Sequence, residues 1–177
     1  MKFGGTSVTK PESVAAIVKL VKLGLANQPV IVVSALSGVT DLLVKLSHSS
    51  DGDIREQIFT ELAFKHDSWI DNILADNDLA QIKAHQIVDD YFCELIELLK
   101  SQIITSQLEL HDSVVAFGEK ISSALISFYL RLHDIGAEQL LATKCIITTS
   151  QFGGADFIDA PTEKASKLSI LPLVKQG

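Results

Sequence analysis

The chain has 177 residues, 47% of them hydrophobic, and a mean hydropathy of +0.29, enough to bury the core of one domain or most of a larger one and too apolar for a disordered segment. Its formal net charge is -7 and Lys and Arg form no cluster, which argues against DNA or RNA as the main partner. No signal peptide or bilayer-length apolar run is read, and Cys93 and Cys145 lie far apart without metal-type spacing. The expectation is therefore no membrane attachment, a reducing cytoplasmic compartment and two core thiols.

The first stretch, Met1-Lys2-Phe3-Gly4-Gly5-Thr6-Ser7, is a short extended start that meets two glycines and two hydroxyls. Gly4 and Gly5 allow positive φ or close approach to a ligand, and Thr6 or Ser7 can cap the next helix. A turn of this kind can present N–H groups to an anion with Lys2 nearby, although Gly-Gly is also a common turn dipeptide. It is neither the Gly-x-x-x-x-Gly-Lys loop nor the Gly-x-Gly-x-x-Gly fingerprint.

Residues 11–26 read as an amphipathic helix, with Pro11 at its first position, Val14, Ile17, Val18, Val21 and Leu25 at helical spacing, and Gly24 with Asn27 at its end. Val30-Ile31-Val32-Val33 is a continuous β-branched run, expected inside a parallel sheet covered on both faces. It runs into Ser34-Ala35-Leu36-Ser37-Gly38, and Thr40-Asp41 then opens a helix through Leu42, Leu43 and Leu46. Both small-residue loops would then sit at the carboxyl ends of strands, where open α/β sheets place ligands.

From about Asp53 to Gln107 two helical stripes read as an inserted antiparallel pair. The first is Ile58, Leu62, His66, Trp69, Ile73 and Leu74; the second, after Asp76-Asn77-Asp78, is Leu79, Ile82, Ile87, Tyr91, Leu95, Leu98 and Leu99. His66 and His85 lack a ligand set and read as packing or solvated residues, and the aromatics as packing for the pair. Leu108 to Ser113 leads to Val114-Val115-Ala116-Phe117-Gly118-Glu119, and a helix is read from Glu119 to Leu132. Glu119 either favours the positive helix end or binds a substrate ammonium group. Ala137 to Leu141 and Cys145 to Thr149 read as extended. Thr148 to Asp156 reads as a polar, mobile loop whose Phe152 is a packing anchor or a lid. A short helix over 161–170 and a strand starting at Leu173-Val174 complete the reading.

These motifs resemble the aspartate kinase family over nearly the whole chain: Lys2-Phe3-Gly4-Gly5-Thr6-Ser7-Val8 is similar to its opening signature. Val32-Val33-Ser34-Ala35 with Gly38-Val39-Thr40-Asp41-Leu42-Leu43 is similar to its second loop, and Phe117-Gly118-Glu119 with Ser122-Ser123-Ala124 to its Gly-Glu helix start. The resemblance implies an α/β, three-layer αβα amino-acid-kinase fold with a mostly parallel sheet. It also implies ATP- and magnesium-dependent phosphorylation of the β-carboxylate of L-aspartate, the first step towards lysine, threonine and methionine. By the same resemblance Lys2 would sit against the transferring phosphoryl group, with Gly4, Gly5, Thr6 and Ser7 around the phosphates. Ser34 and Thr40 would line the aspartate and phosphate region, Glu119 would hold the substrate amino group, Phe152 would border the substrate, and no metal ligand is expected from the chain itself.

The sequence departs from the family pattern in two ways. The family's arginine in or after the Phe-Gly pair is absent from Phe152-Gly153-Gly154-Ala155-Asp156, and the only arginines are Arg55 and Arg131. The family's first strand is also longer, and its domain continues through a Gly-Arg-Gly-Gly-Ser-Asp segment that is not found here. The expectation is thus that residues 1–177 are the amino-acid-binding N-terminal part of a catalytic domain, inactive and without tightly bound cofactor when isolated. An open sheet edge would invite non-native dimerisation or aggregation, while the parent enzyme would be a homo-oligomer. The alternatives are a related kinase acting on glutamate, N-acetylglutamate, carbamate or a nucleoside monophosphate, or a non-catalytic interaction module.

Overall fold

A computed structural model describes residues 1–101 and 103–175 of the chain. Lys2–Phe3 (β1) and Val32–Val33 (β2) pair in parallel, Lys2 opposite Val32 and Phe3 opposite Val33. The ladder extends beyond the strands: the Val32 amide donates to Met1 O (2.8 Å) and the Ser34 amide to Phe3 O (3.1 Å). Side chains alternate along a strand, so Phe3 and Val33 pack on the core while Lys2 and Val32 share an open face. The expected burial of Val30 to Val33 on both faces does not hold, because Val30 and Val32 stay 47% and 56% exposed. Only two strands are present among the described residues, so the architecture seen is a small parallel sheet carrying eight α-helices.

Gly5–Thr9 (α1) and Pro11–Gly24 (α2) follow β1, with Pro11 at the start of α2 and Val14, Ile17, Val18 and Val21 buried as the spacing indicated. After β2, Gly38 takes the left-handed conformation (φ 79°) and opens Val39–His48 (α3). Gly52–Ile73 (α4) and Asp78–Lys100 (α5) form the expected pair, capped by Asp51 and Asn77 side chains that accept from Ile54 and Ala80 amides. Phe59 stacks edge-on with Phe92 and Asp67 pairs with His85, so the two helices run antiparallel. In α5 the buried stripe is Ala80, Ala84, Val88 and Leu95, whereas Leu79 and Ile82 are exposed. Ile87, Tyr91, Leu95, Leu98 and Leu99 of the expected stripe pack on the core, so Leu79 and Ile82 alone were the misleading signal in it.

Gln107–Val115 (α6) is a helix the sequence reading left unassigned. Its signal was present: Ser106 Oγ accepts the Glu109 amide (3.1 Å) and Glu109 Oε2 accepts the Thr105 amide (2.9 Å), a variant of the capping box. Phe117–Leu132 (α7) follows after a single residue, Ala116, whose own backbone is α-helical. Together Gln107–Leu132 is long and apolar enough to cross a bilayer by length and composition, contrary to the expectation that no such run exists, yet over half of its apolar window is buried inside the molecule.

The last third departs furthest from expectation. Ala137 to Leu141 is irregular, and the stretch from Cys145 contributes one antiparallel bridge, Thr148 with Phe157. Asp159–Lys175 (α8) runs longer than expected and includes Leu173 and Val174, placed in a strand by the sequence reading; Gln176 and Gly177 lie outside the described residues. Hydroxyls on one face of α8 tether it: Thr162 Oγ1 bonds both Ile147 N and O, Ser166 donates to Cys145 O and Ser169 to Lys144 O. A polar tether of this kind leaves no apolar stripe to read. Of the two thiols, Cys145 is buried as expected and Cys93 is exposed.

Candidate functional site

The opening turn owes its shape to space and not to left-handed backbone. Gly4 is extended (φ -77°, ψ 171°), and the positive-φ glycines among the described residues are Gly38 and Gly153. A Cβ on Gly5 would stand 2.9 Å from Ala35 O, a backbone atom of the second loop, whereas one on Gly4 would meet nothing within 4 Å. Gly4 O accepts the Ser7 and Val8 amides, leaving the Gly5 and Thr6 amides, first in α1, without intrahelical acceptors. Neither Thr6 nor Ser7 caps a helix as expected, since α1 and α2 both begin without a side-chain cap. Thr9, which sequence reasoning passed over, has the structural role instead: its hydroxyl donates to Gly5 O (2.6 Å) and accepts the Ser37 amide (2.8 Å).

The third motif arrives at the same point. A Cβ on Gly118 would lie 2.7 Å from Ala35 Cβ and 3.3 Å from Leu43 Cδ1, so α7 can rest on the second loop only with glycine there. That approach brings the exposed Glu119 carboxylate to the loop, where Oε1 accepts the Ala35 amide at 3.3 Å. Because Ala116 is itself α-helical, Glu119 follows a helix-to-helix junction and not a fresh helix start. The helix-dipole reading of Glu119 is correspondingly weaker. Gly5, Ala35, Gly118 and Glu119 therefore meet, and half-buried Ser34 and Thr40 flank Ala35 along the second loop and the start of α3.

Lys2 begins β1 two residues before the turn, exposed on the open sheet face, and forms no ion pair with a described residue. A second cation stands on the other loop, where Lys65 Nζ of α4 donates to Ser37 O (3.3 Å). Both arginines are committed elsewhere: Arg55 Nε donates to Ser49 O, and Arg131 Nη1 to Ser127 Oγ and Ala137 O. Among the described residues no group of three or more His, Cys, Asp or Glu side chains is placed to hold a metal ion.

Phe152 is not brought to this junction. Its loop is the tip of a narrow ribbon held by Thr149 N to Asp156 O (2.9 Å) and Ile158 N to Ile147 O (3.0 Å). The Gly153 amide is pinned to Asp112 Oδ2 of α6 (2.7 Å). Phe152 lines a groove of about 750 Å³ with Phe117, Lys120, Glu94, Glu97 and Asp112, whose lining contains none of Lys2, Gly5, Ser34, Thr40 or Glu119. Lys120 stacks its ammonium over the Phe117 ring there, 4.1 Å from the centroid.

Two parallel strands that end in small-residue loops, one of them tight against a helix-borne carboxylate, form the kind of edge at which α/β folds place small-molecule ligands. The chain belongs to the amino acid kinase family, whose model matches residues 1–177. It is 30% identical to an aspartokinase of Chlamydia muridarum over 85% of this chain and 31% of that one. It is likewise 30% identical to chloroplastic aspartokinase 3 of Arabidopsis thaliana over 94% of this chain and 30% of the relative. Among solved structures it resembles E. coli aspartokinase III in complex with aspartate and ADP (TM-score 0.77, 27% identity) and with lysine and aspartate (TM-score 0.82, 25% identity), covering 99% of this chain and 38% of each. The chain thus spans about a third of the length of these relatives.

Proposed function

We propose that this chain is the amino-acid-binding part of a kinase that transfers the γ-phosphoryl group of ATP to the β-carboxylate of L-aspartate. The observation that carries the reading is the meeting of Gly5, Gly118 and Glu119 at Ala35, three motifs distant in sequence joined at one loop. The relatives it resembles are aspartokinases, one of them solved with aspartate and ADP.

In this reading Glu119 takes the substrate ammonium group as a charge-assisted partner. Its bond to the Ala35 amide holds the carboxylate in place before the substrate arrives. Ser34 and Thr40 border the amino acid, while Lys2 and the free amides of the Gly4-Gly5-Thr6-Ser7 turn are the chain's donors towards phosphate oxygens. The open space at Gly4, where a Cβ would meet no protein atom, fits close approach of such a group. Phosphoryl transfer needs placed donors more than covalent help, and the accepting carboxylate is already ionised at neutral pH. MgATP, when bound, supplies the phosphoryl group, which forms a bond to the carboxylate oxygen as ADP leaves. The metal would arrive with the nucleotide.

The 177 residues by themselves are proposed to bind the amino acid without completing the transfer. Calorimetric titration of L-aspartate into the chain and into Glu119→Gln tests the reading. The wild type should bind, and the variant should bind roughly 10- to 100-fold more weakly while melting at the same temperature, because the amide side chain still accepts from Ala35. Absence of wild-type binding would sink the assignment. Trapping of acyl phosphate by hydroxylamine, with this chain as the only catalyst, would sink the claim that it does not turn over. The family's arginine is absent after Phe152-Gly153, so the related acceptors glutamate, N-acetylglutamate, carbamate and nucleoside monophosphates belong in the same titration panel.

A further inference from the structure

Two side chains of α4, one turn apart on the same face, reach the two site loops separately. The Trp69 indole N–H, in a ring only 2% exposed, donates to Val8 O (2.7 Å) in α1, directly after the opening turn. Lys65 Nζ donates to Ser37 O in the second loop (3.3 Å), and a Cβ on Gly38 would stand 3.0 Å from that ammonium. Between α4 and the loops lies a cavity of about 250 Å³ lined by Thr9, Leu36, Ser37, Lys65 and Trp69. Packing there is incomplete, so these hydrogen bonds act as struts across a gap. The Trp69 ring also meets Tyr129 of α7 edge-on, with centroids 6.3 Å apart, which joins the same strut to the helix that carries Glu119.

We propose that α4 sets the separation of the two site loops, with Lys65 and Trp69 as positioning residues for the ligand bound at their junction. The claim about the ligand rests on the functional reading above; the claim about loop spacing does not. The Thr9 hydroxyl ties Gly5 O to the Ser37 amide, so a displacement of either loop is passed to the other. A helical pair that looks like an insertion beside the site is then part of what keeps the Glu119 carboxylate and the opening turn in register.

Amide hydrogen exchange followed by NMR on the 177-residue chain tests this in the wild type, Lys65→Met, Lys65→Arg and Trp69→Phe. In Lys65→Met and Trp69→Phe, exchange at Ala35 and Ser37 should rise about 10-fold while Leu95 and Leu125 in the helical core keep their rates, and Lys65→Arg should stay near wild type. Unchanged rates at Ala35 and Ser37, or an equal rise at Leu95 and Leu125, would overturn the proposal. Lys65 is partly solvent-facing, so its variants decide the matter even if Trp69→Phe fails to fold. L-Aspartate titration of the same samples should show weaker binding wherever loop exchange is faster. A wild type that binds no aspartate would reject the functional reading and leave the exchange rates to judge α4 alone.

Discussion

Replacing Gly118 with alanine tests the contact that brings the third motif to the second loop. The new Cβ would be 2.7 Å from Ala35 Cβ, and ordinary contact begins at 3.4 Å, so one element must retreat by 3.4 - 2.7, about 0.7 Å. Ala35 Cβ has no rotor to turn away, and Leu43 Cδ1 at 3.3 Å blocks the other side, which places the overpacking cost near the upper end of its range, about 3 kcal/mol. Alanine is about 1 kcal/mol better than glycine inside a helix, so the net loss is about 2 kcal/mol. For a chain of this size that is a fall in Tm of about 4–8 °C. The Glu119 to Ala35 bond, already 3.3 Å, should break, raising exchange at the Ala35 amide. Urea and thermal melts of Gly118→Ala, Ala35→Gly and the double variant form a cycle whose coupling should be about 1–3 kcal/mol in favour of the pair. A Gly118→Ala protein as stable as wild type, or a double variant that recovers nothing, would refute the contact as the reason for glycine.

Gly4 and Gly5 should separate in the same kind of experiment: Gly5→Ala meets Ala35 O and should cost about 1–3 kcal/mol of stability, whereas Gly4→Ala should melt like wild type in calorimetry and show its effect on binding of inorganic phosphate or nucleotide. His66 should make stability depend on pH. It is buried with Nδ1 bonded to Leu62 O (2.7 Å) and Nε2 unpartnered, and desolvation lowers its pKa, against the opposing influence of that bond and of Asp67. The unfolded chain then takes up a proton that the folded chain refuses, so stability is fully present above about pH 6.5 and is lost as pH falls below it, by up to about 1.4 kcal/mol per pH unit. Urea midpoints measured from pH 7.5 to 5 should show that slope in wild type and lose part of it in His66→Phe; identical slopes would remove His66 as its source.

How much of this was legible follows from where the information lies. Pro11, the β-branched run at Val30 to Val33 and the stripe from Ile58 to Trp69 are local periodic signals, and they placed α2, β2 and α4. In the second stripe Ile87, Tyr91, Leu95, Leu98 and Leu99 pack on the core as read, and only its first two members misled: Leu79 and Ile82 are exposed while Ala80 and Ala84, which hydropathy ranks lower, are buried. The α6 helix carried a readable start at Ser106 and Glu109 that an attention to hydrophobic spacing missed. In the site, Gly5 was found for one reason and is needed for another: the sequence shows that a small residue is tolerated, and only the fold shows that Ala35 O stands opposite it. Thr9, Lys65 and Trp69 were beyond reach, since each acts through a partner separated from it by 28 residues or more.

The position of charge around the site bears on what the proposed substrate would need. Aspartate brings one ammonium and two carboxylates, and in the proposed reading Glu119 would answer only the first. With Arg55 and Arg131 bonded elsewhere, these 177 residues present no free guanidinium to grip a carboxylate in the bidentate manner that makes arginine selective. The groove beside Phe152 does not compensate, because Lys120 is the one cation among its described lining residues, against Glu94, Glu97 and Asp112, and an acidic groove repels a dicarboxylate. In the proposed reading, what this chain offers the carboxylates is the amides and hydroxyls of the two loops, with Lys65 at Ser37 and with Lys2, whose side chain has no ion-pair partner among the described residues. The amides and hydroxyls among them are neutral donors, which discriminate by distance more than by charge. A site built on them depends on keeping its loops at a fixed separation, and that demand gives physical sense to the glycine contacts at Ala35 and to the struts from α4.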